Sequence, residues 1–280
     1  MLATLLLIAA ASPAASSSVV GVLTQDPCGE RKDRFVQVLF AKASQGWKAL
    51  RSWDSAKDMA LPNEWTVAFD GRRLAQLQTV LPQPSGCPFS CWIALAAAPG
   101  QFLPRVKAPP GVFGMECGDA PYRPLVVVSE PHYSDPAGWK PIESAAGHMP
   151  LLFQQFKKVA GKATVCPPRA AAEVPFEYAP TDLRLRSYRD ISGRLLVTAQ
   201  LDPHLDTCGG ANEIAWMPHT FVLDGATQYL GPEIALIDAG DYDADGKSEL
   251  LFWRAGHDGH GYVLFDSAFQ QAHKVYRGYH

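Results

Sequence analysis

The chain has 280 residues, 47% hydrophobic and 19% charged, which supports a packed core and excludes wholesale disorder. Its formal net charge is -3 and it carries no basic stripe, which argues against nucleic acid as a partner. The 23 Gly and 23 Pro cut it into short segments suited to strands and turns rather than long helices.

The opening stretch, "MLATLLLIAAASPAASSS", is an apolar run followed by small residues. Residues 5–11 are too short to span a bilayer and read as the core of a secretory signal over residues 1–15. Ala9-Ala10-Ala11 or Ser12-Pro13-Ala14 would suit cleavage, and a mis-set start codon or a buried N-terminal strand is the competing reading. No later stretch is long enough for a membrane helix, so the expected location is secreted or periplasmic. Six cysteines follow: Cys28, Cys87, Cys91, Cys117, Cys166 and Cys208. An even count in an oxidising compartment implies disulfides, although spacing alone does not choose the partners. Metal ligation competes, but no C-x2-C pair exists.

Further on, "ERKDRFVQVLFAKA" crowds Phe35, Val36, Val38, Leu39 and Phe40 together, leaving helix and strand both open. "EWTVAFDGRRLAQLQTV" places Trp65, Val67 and Phe69 on one face before Asp70-Gly71, a hairpin signal. "RPLVVVSEP" reads as a buried strand. In "IESAAGHMPLLFQQFKKVAG", Leu152, Phe153, Phe156 and Val159 share a face and Gly161 supplies a stop, which predicts a helix near 144–160. The Pro-rich "VCPPRAAAEVPFEYAPTD" looks like a connector between an N-terminal β-rich portion, 27–165, and a C-terminal β portion, 175–280. Strand pairs recur in that second portion, turning at Ser192-Gly193, Asp224-Gly225 and Asp266-Ser267. Antiparallel hairpins without βαβ alternation predict a mainly β fold with one or two short helices. The expected architecture is propeller-like, with a two-part β-sandwich as the alternative.

The most informative segment is "IDAGDYDADGKSELLFW". Asp241, Asp243 and Asp245 alternate, Gly246 permits a sharp turn, the Lys247 carbonyl adds an oxygen and Glu249 takes the ninth position. Oxygen-only ligation suits Ca2+ and argues against zinc or copper. Asp238 is a possible outer carboxylate, and an acidic turn holding no ion is the alternative. An EF-hand is rejected, because Phe252 stands where the bidentate Glu belongs and "EIALI" and "ELLFW" are strand-like.

Residues 232–256 resemble the calcium loop of integrin-type FG-GAP repeats, also found in VCBS-type secreted proteins. Gly240, Asp241, Asp243, Asp245, Gly246 and Glu249 match the pattern of apolar strand, Gly-Asp, D-x-D-x-D-G-x-x-D and apolar strand, with Glu in place of the last Asp. The resemblance implies a propeller blade in which a structural calcium braces a loop between strands, in proteins of binding and adhesion.

Other chemistry is less specific. "HDGHGY" brings His257, Asp258 and His260 together, either as a zinc site or, preferably, as a hairpin turn at Asp258-Gly259. In "CPFSCW", Ser90-Cys91-Trp92 resembles the end of a papain-like nucleophile signature, with His219 as a distant partner, but the cysteine spacing differs. Of the seven tryptophans, Trp65 and Trp253 read as core rather than as a sugar-stacking surface. The expected function is a non-enzymatic protein binding a protein or glycan; the alternative is a secreted hydrolase acting on glycan or peptide.

Overall fold

Valine- and leucine-rich runs, broken by Gly, Pro and Asp, pair into antiparallel sheets, because branched side chains suit a pleated surface and Gly interrupts it. The computed structural model describes residues 18–25, 34–57, 59–80, 93–109, 112–115, 118–119, 122–143, 145–166, 174–202, 214–256, 259–270 and 272–278. The expected signal over 1–15 lies outside the described residues, as do Cys28, Cys87, Cys91, Cys117 and Cys208. Cys166 is held in a disulfide. Among the described residues no helix is long and apolar enough to cross a membrane.

Strands β1 (Val19–Gln25), β2 (Arg34–Ala43), β3 (Gly46–Ala49), β4 (Glu64–Phe69), β5 (Arg72–Val80) and β6 (Ile93–Ala97) come first. A short helix, α1 (Trp53–Ala56), separates β3 from β4. A ribbon of β7 (Gly114–Met115) and β8 (Gly118–Asp119) precedes β9 (Leu125–Val128). The order β1-β9-β4-β5-β6-β2-β3, with a further β1–β2 pairing, closes six strands into a barrel-like sheet and appends β3. The segment open to helix or strand is thus β2. The β4–β5 hairpin turns at Asp70-Gly71 as expected, with φ of 52° and 67° at the two central residues.

A second sheet has the order β10-β13-β14-β15-β16, from β10 (Lys140–Ile142), β13 (Leu183–Arg189), β14 (Leu195–Leu201), β15 (His219–Asp224) and β16 (Ala226–Pro232). Helix α2 (Met149–Ala160) falls within the predicted helical stretch and ends at Gly161, with φ 75°. Across the Pro-rich connector, β11 (Ala163–Val165) pairs with β12 (Val174–Phe176). The chain ends in a four-stranded meander of β17 (Ile234–Gly240), β18 (Glu249–Gly256), β19 (Gly259–Phe265) and β20 (Ala272–Gly278).

These sheets stack in layers. Val67, Leu77, Leu95 and Val127 fill the barrel, while Val20, Val22, Val126 and Val128 point outward. The outward residues meet Leu251, Trp253, Tyr262 and Leu264 on one face of the meander. Its other face, with Leu250, Phe252, Val263 and Phe265, meets Leu196 and Val222 of the second sheet. The far side of that sheet carries Val197, Leu201 and Phe221, which pack against Leu152, Phe156 and Ala160 of α2. The meander is therefore apolar on both faces, which is why "ELLFW" and "GYVLF" read as continuous hydrophobic runs. Trp65 and Trp253 are core, at 1% and 2% exposure.

The strand orders do not show the expected propeller. A blade is a separate four-stranded sheet; only the meander has that form among the described residues, and the first sheet closes on itself instead. Closure depends on β1 pairing with both β2 and β9, a long-range event that local hairpin signals do not encode.

Gly261 marks a close approach between β19 and β20: a Cβ there would lie 2.1 Å from the Val275 carbonyl oxygen. Gly261→Ala is expected to destabilise by about 1–3 kcal/mol in urea unfolding, whereas Gly147→Ala, with open space around it, leaves the midpoint nearly unchanged. In the turn after β13, burial alone would raise the Asp190 pKa, but hydrogen bonds from Arg194 and Ser192 hold it below its ordinary value. The stability this gives is fully present above the ordinary carboxylate range near about 3.9 and is lost as pH falls through the lower folded value. A urea midpoint followed from pH 7 to 3 should fall less steeply in Asp190→Asn than in the parent.

Candidate metal centre

The backbone reverses over residues 241–248, between Gly240 and Glu249, which pair across β17 and β18. Gly246 at φ 82° and Ala244 at φ 59° take the left-handed conformation that the reversal needs. Aspartate oxygens then satisfy the turn's N–H groups, as short acidic side chains do in loops. The Asp245 N–H donates to Asp241 Oδ1 at 3.0 Å, and the Gly246 N–H donates to Asp241 Oδ2 at 2.9 Å.

Asp241, Asp243 and Glu249 each bring one oxygen within 4.8 Å of the others. Asp245 is not part of that group; its Oδ1 accepts the Lys247 N–H at 2.9 Å. Lys247 was expected to offer its carbonyl, and its N–H is the group the structure shows engaged. The converging set is all oxygen and carboxylate-rich, the donor chemistry of a hard cation such as Ca2+.

Carboxylates this close repel, and the barrel supplies a countercharge. Lys42 Nζ, on β2, lies 2.5 Å from Asp243 Oδ2. Burial works against this ammonium, but the hydrogen bond to Asp243, with the charges of Glu249 and Asp245 behind it, raises its pKa. Glu249 is only 3% exposed. Burial first, then Asp243 and Asp245, push its carboxyl up to about 8, against the Tyr242 N–H and Lys42. That N–H donates to Glu249 Oε2 at 2.9 Å.

Beneath the loop lies a second set of contacts. Asp238 does not turn toward the cluster; Tyr133 Oη lies 2.9 Å from its Oδ2 and 2.7 Å from the Ala239 carbonyl, and donates to this pair. The Gly71 N–H, from the β4–β5 turn, approaches Asp238 Oδ1 at 3.4 Å. Burial lifts Asp238 to about 7, although Tyr133, backbone N–H groups and Arg123 pull it down. Gly240 has no room for a side chain, since a Cβ would lie 2.3 Å from the Tyr133 ring. Ser248 Oγ donates to Asp135 Oδ1 and accepts the Ala137 N–H at 3.0 Å. The Asp241 N–H donates to the Ser134 carbonyl at 2.8 Å.

Lys42, Tyr133 and Asp135 gave no sign in the sequence of a role here, being more than a hundred residues from the loop. Only Ser248 and Tyr242 lay inside the segment the aspartates mark. His257 and Asp258 lie outside the described residues, and β18 and β19 pair on either side of them. Cys91 also lies outside them. His219 is buried in the second sheet, with Nδ1 2.8 Å from the Tyr229 hydroxyl and Nε2 2.8 Å from the Ile214 carbonyl.

Protein-family models, curated proteins and solved structures give no match to this chain.

Tyr133→Phe removes the hydroxyl that serves Asp238 and Ala239 while keeping the ring, and should cost about 1–3 kcal/mol in chemical denaturation. Gly240→Ala, which collides with that ring, should cost at least as much, and combining the two should cost less than the sum of both, because each disturbs the same contact.

Proposed function

We propose that the chain is an exported, disulfide-stabilised, non-enzymatic binding protein whose 241–249 loop holds a structural Ca2+, and whose ligand is a protein or glycan. The observation that carries the calcium reading is the convergence of Asp241, Asp243 and Glu249 at the mouth of one hairpin. The resemblance to FG-GAP and VCBS-type loops adds the match at Gly240, Asp241, Asp243, Asp245, Gly246 and Glu249 and points to binding or adhesion. The loop sits in a four-stranded antiparallel meander, the sheet form of a propeller blade, here set against a barrel. A bound cation would neutralise carboxylates that Lys42 balances in part, and would brace β17 and β18 where they meet the barrel. Asp241, Asp243 and Glu249 are the residues that would hold it, with Asp245 and the Lys247 carbonyl completing the expected set.

One observation favours the hydrolase alternative. Asp70 and Asp238 both line a 310 Å³ pocket, and burial places Asp238 near 7, where a carboxyl can act as a general acid. In that reading Asp238→Asn abolishes release of reducing ends or peptides from the substrate.

Calcium is expected to raise the melting temperature and EDTA to reverse the rise; at about a hundredfold excess over Kd the stabilisation is about 2.7 kcal/mol. Asp243→Ala combined with Asp245→Ala should lose the response. Identical melting curves in calcium and in EDTA would overturn the metal assignment.

A further inference from the structure

The second sheet presents one face to the meander, and that face is only partly covered. Leu196 and Val222 lie in the apolar contact with Phe252 and Val263. Beyond them the same face turns polar. On β13, Arg184, Arg186 and Tyr188 share a side by strict alternation; on β14, Thr198 and Gln200 share it with Leu196. The register sets Arg186 opposite Thr198 and Arg184 opposite Gln200. These side chains form one wall of a 470 Å³ cleft, whose remaining lining includes Val112 and Phe113 from the segment just before β7, Ala235 and Leu236 from β17, and the acid Glu233.

Three arginines, Arg123, Arg184 and Arg186, line the cleft together with two acids, Asp202 and Glu233, the latter 3.7 Å from Arg254 Nη2. Arg184 is paired with Asp202, Nη2 to Oδ2 at 2.7 Å. Arg186 is exposed and has no carboxylate partner among the described residues. Arg123 closes the inner end, where its guanidinium donates to the Leu236 and Ile237 carbonyls at the bulge of β17 and lies over the Phe69 and Phe113 rings. A volume of 470 Å³ falls in the range of small-molecule sites, about 300–1,000 Å³. It is a concavity for one unit of a ligand rather than a flat protein interface, which needs about 800 Å² on each side. Guanidiniums recognise carboxylate, sulfate or phosphate groups through paired N–H donors. A hydroxyl and an amide beside them suit hydroxyl groups, and the opposite wall suits an apolar ring face.

We propose that this cleft binds an anionic saccharide, its carboxylate or sulfate held by Arg186 and the apolar face of its ring set against Val112, Phe113 and Leu236. This rests on the binding-protein reading above and names the ligand class within it. The anion can come from a uronate or from a sulfated sugar, and the two share the same recognition chemistry.

The test is isothermal titration calorimetry on the full chain with four probes: trigalacturonate, a heparin-derived tetrasaccharide, neutral maltotetraose and a tetraglutamate peptide. One or both acidic saccharides should bind, with affinity falling as NaCl rises, and maltotetraose should not. Which acidic saccharide binds more tightly identifies the source of the anion. Arg186→Gln, at an exposed position, should keep the parent's melting temperature and its response to calcium while weakening binding by about tenfold or more. Absence of binding by both acidic saccharides, or binding unaltered by Arg186→Gln, overturns the proposal. Tetraglutamate binding as tightly as the saccharides overturns the sugar assignment in favour of an acidic peptide. A neutral glycan that binds equally well in parent and variant overturns the cleft while leaving the binding-protein reading in place.

Discussion

Two carboxylates buried at one joint, Asp238 and Glu249, are the constraint around which this molecule is assembled. Buried acids are expensive unless neighbours supply hydrogen bonds or charge, and here the neighbours come from the barrel and from the segment that leads into the second sheet. Lys42 reaches the acidic loop from the barrel, the Gly71 N–H approaches Asp238 from the barrel's hairpin, and Tyr133 arrives from the segment leading into the second sheet. The joint therefore reports on how the barrel and the meander are seated: if either shifts, a buried acid loses its partner. Stability and the geometry of the acidic loop are coupled for that reason.

Much of the local structure was legible in the sequence because its causes are local. Asp70-Gly71 demands positive φ at two successive positions, and the structure turns there. The spacing of Leu152 and Phe156 and the stop at Gly161 likewise suffice for α2. Barrel closure was not legible, since β1 must find β9 across a hundred residues and no periodicity encodes that meeting. The continuous apolar runs of β18 and β19 held a hint, because strands hydrophobic on both sides need two covering layers, but a propeller and a stack satisfy that need equally well.

The site divides the same way. Alternation of Asp241, Asp243 and Asp245 announces a tight turn rich in oxygen, and that turn exists. Which carboxylates converge depends on the fold: Glu249 is drawn inward by its strand, while Asp245 faces the turn's own N–H. Arg184 and Arg186 show a period of two in "RLRSY", yet nothing in that string says that their side of the sheet outruns its cover.

The central position of the meander also has a bearing on how the protein is made. This layer is synthesised after the two layers it covers, and it shields both the outer valines of the barrel and the inner face of the second sheet. Until β17 to β20 emerge, the growing chain carries two sticky surfaces that this meander would otherwise cover. A chain cut before β17 would thus be a fragment prone to clumping rather than a smaller working protein, and any helper that escorts the chain must stay until β17 to β20 have emerged.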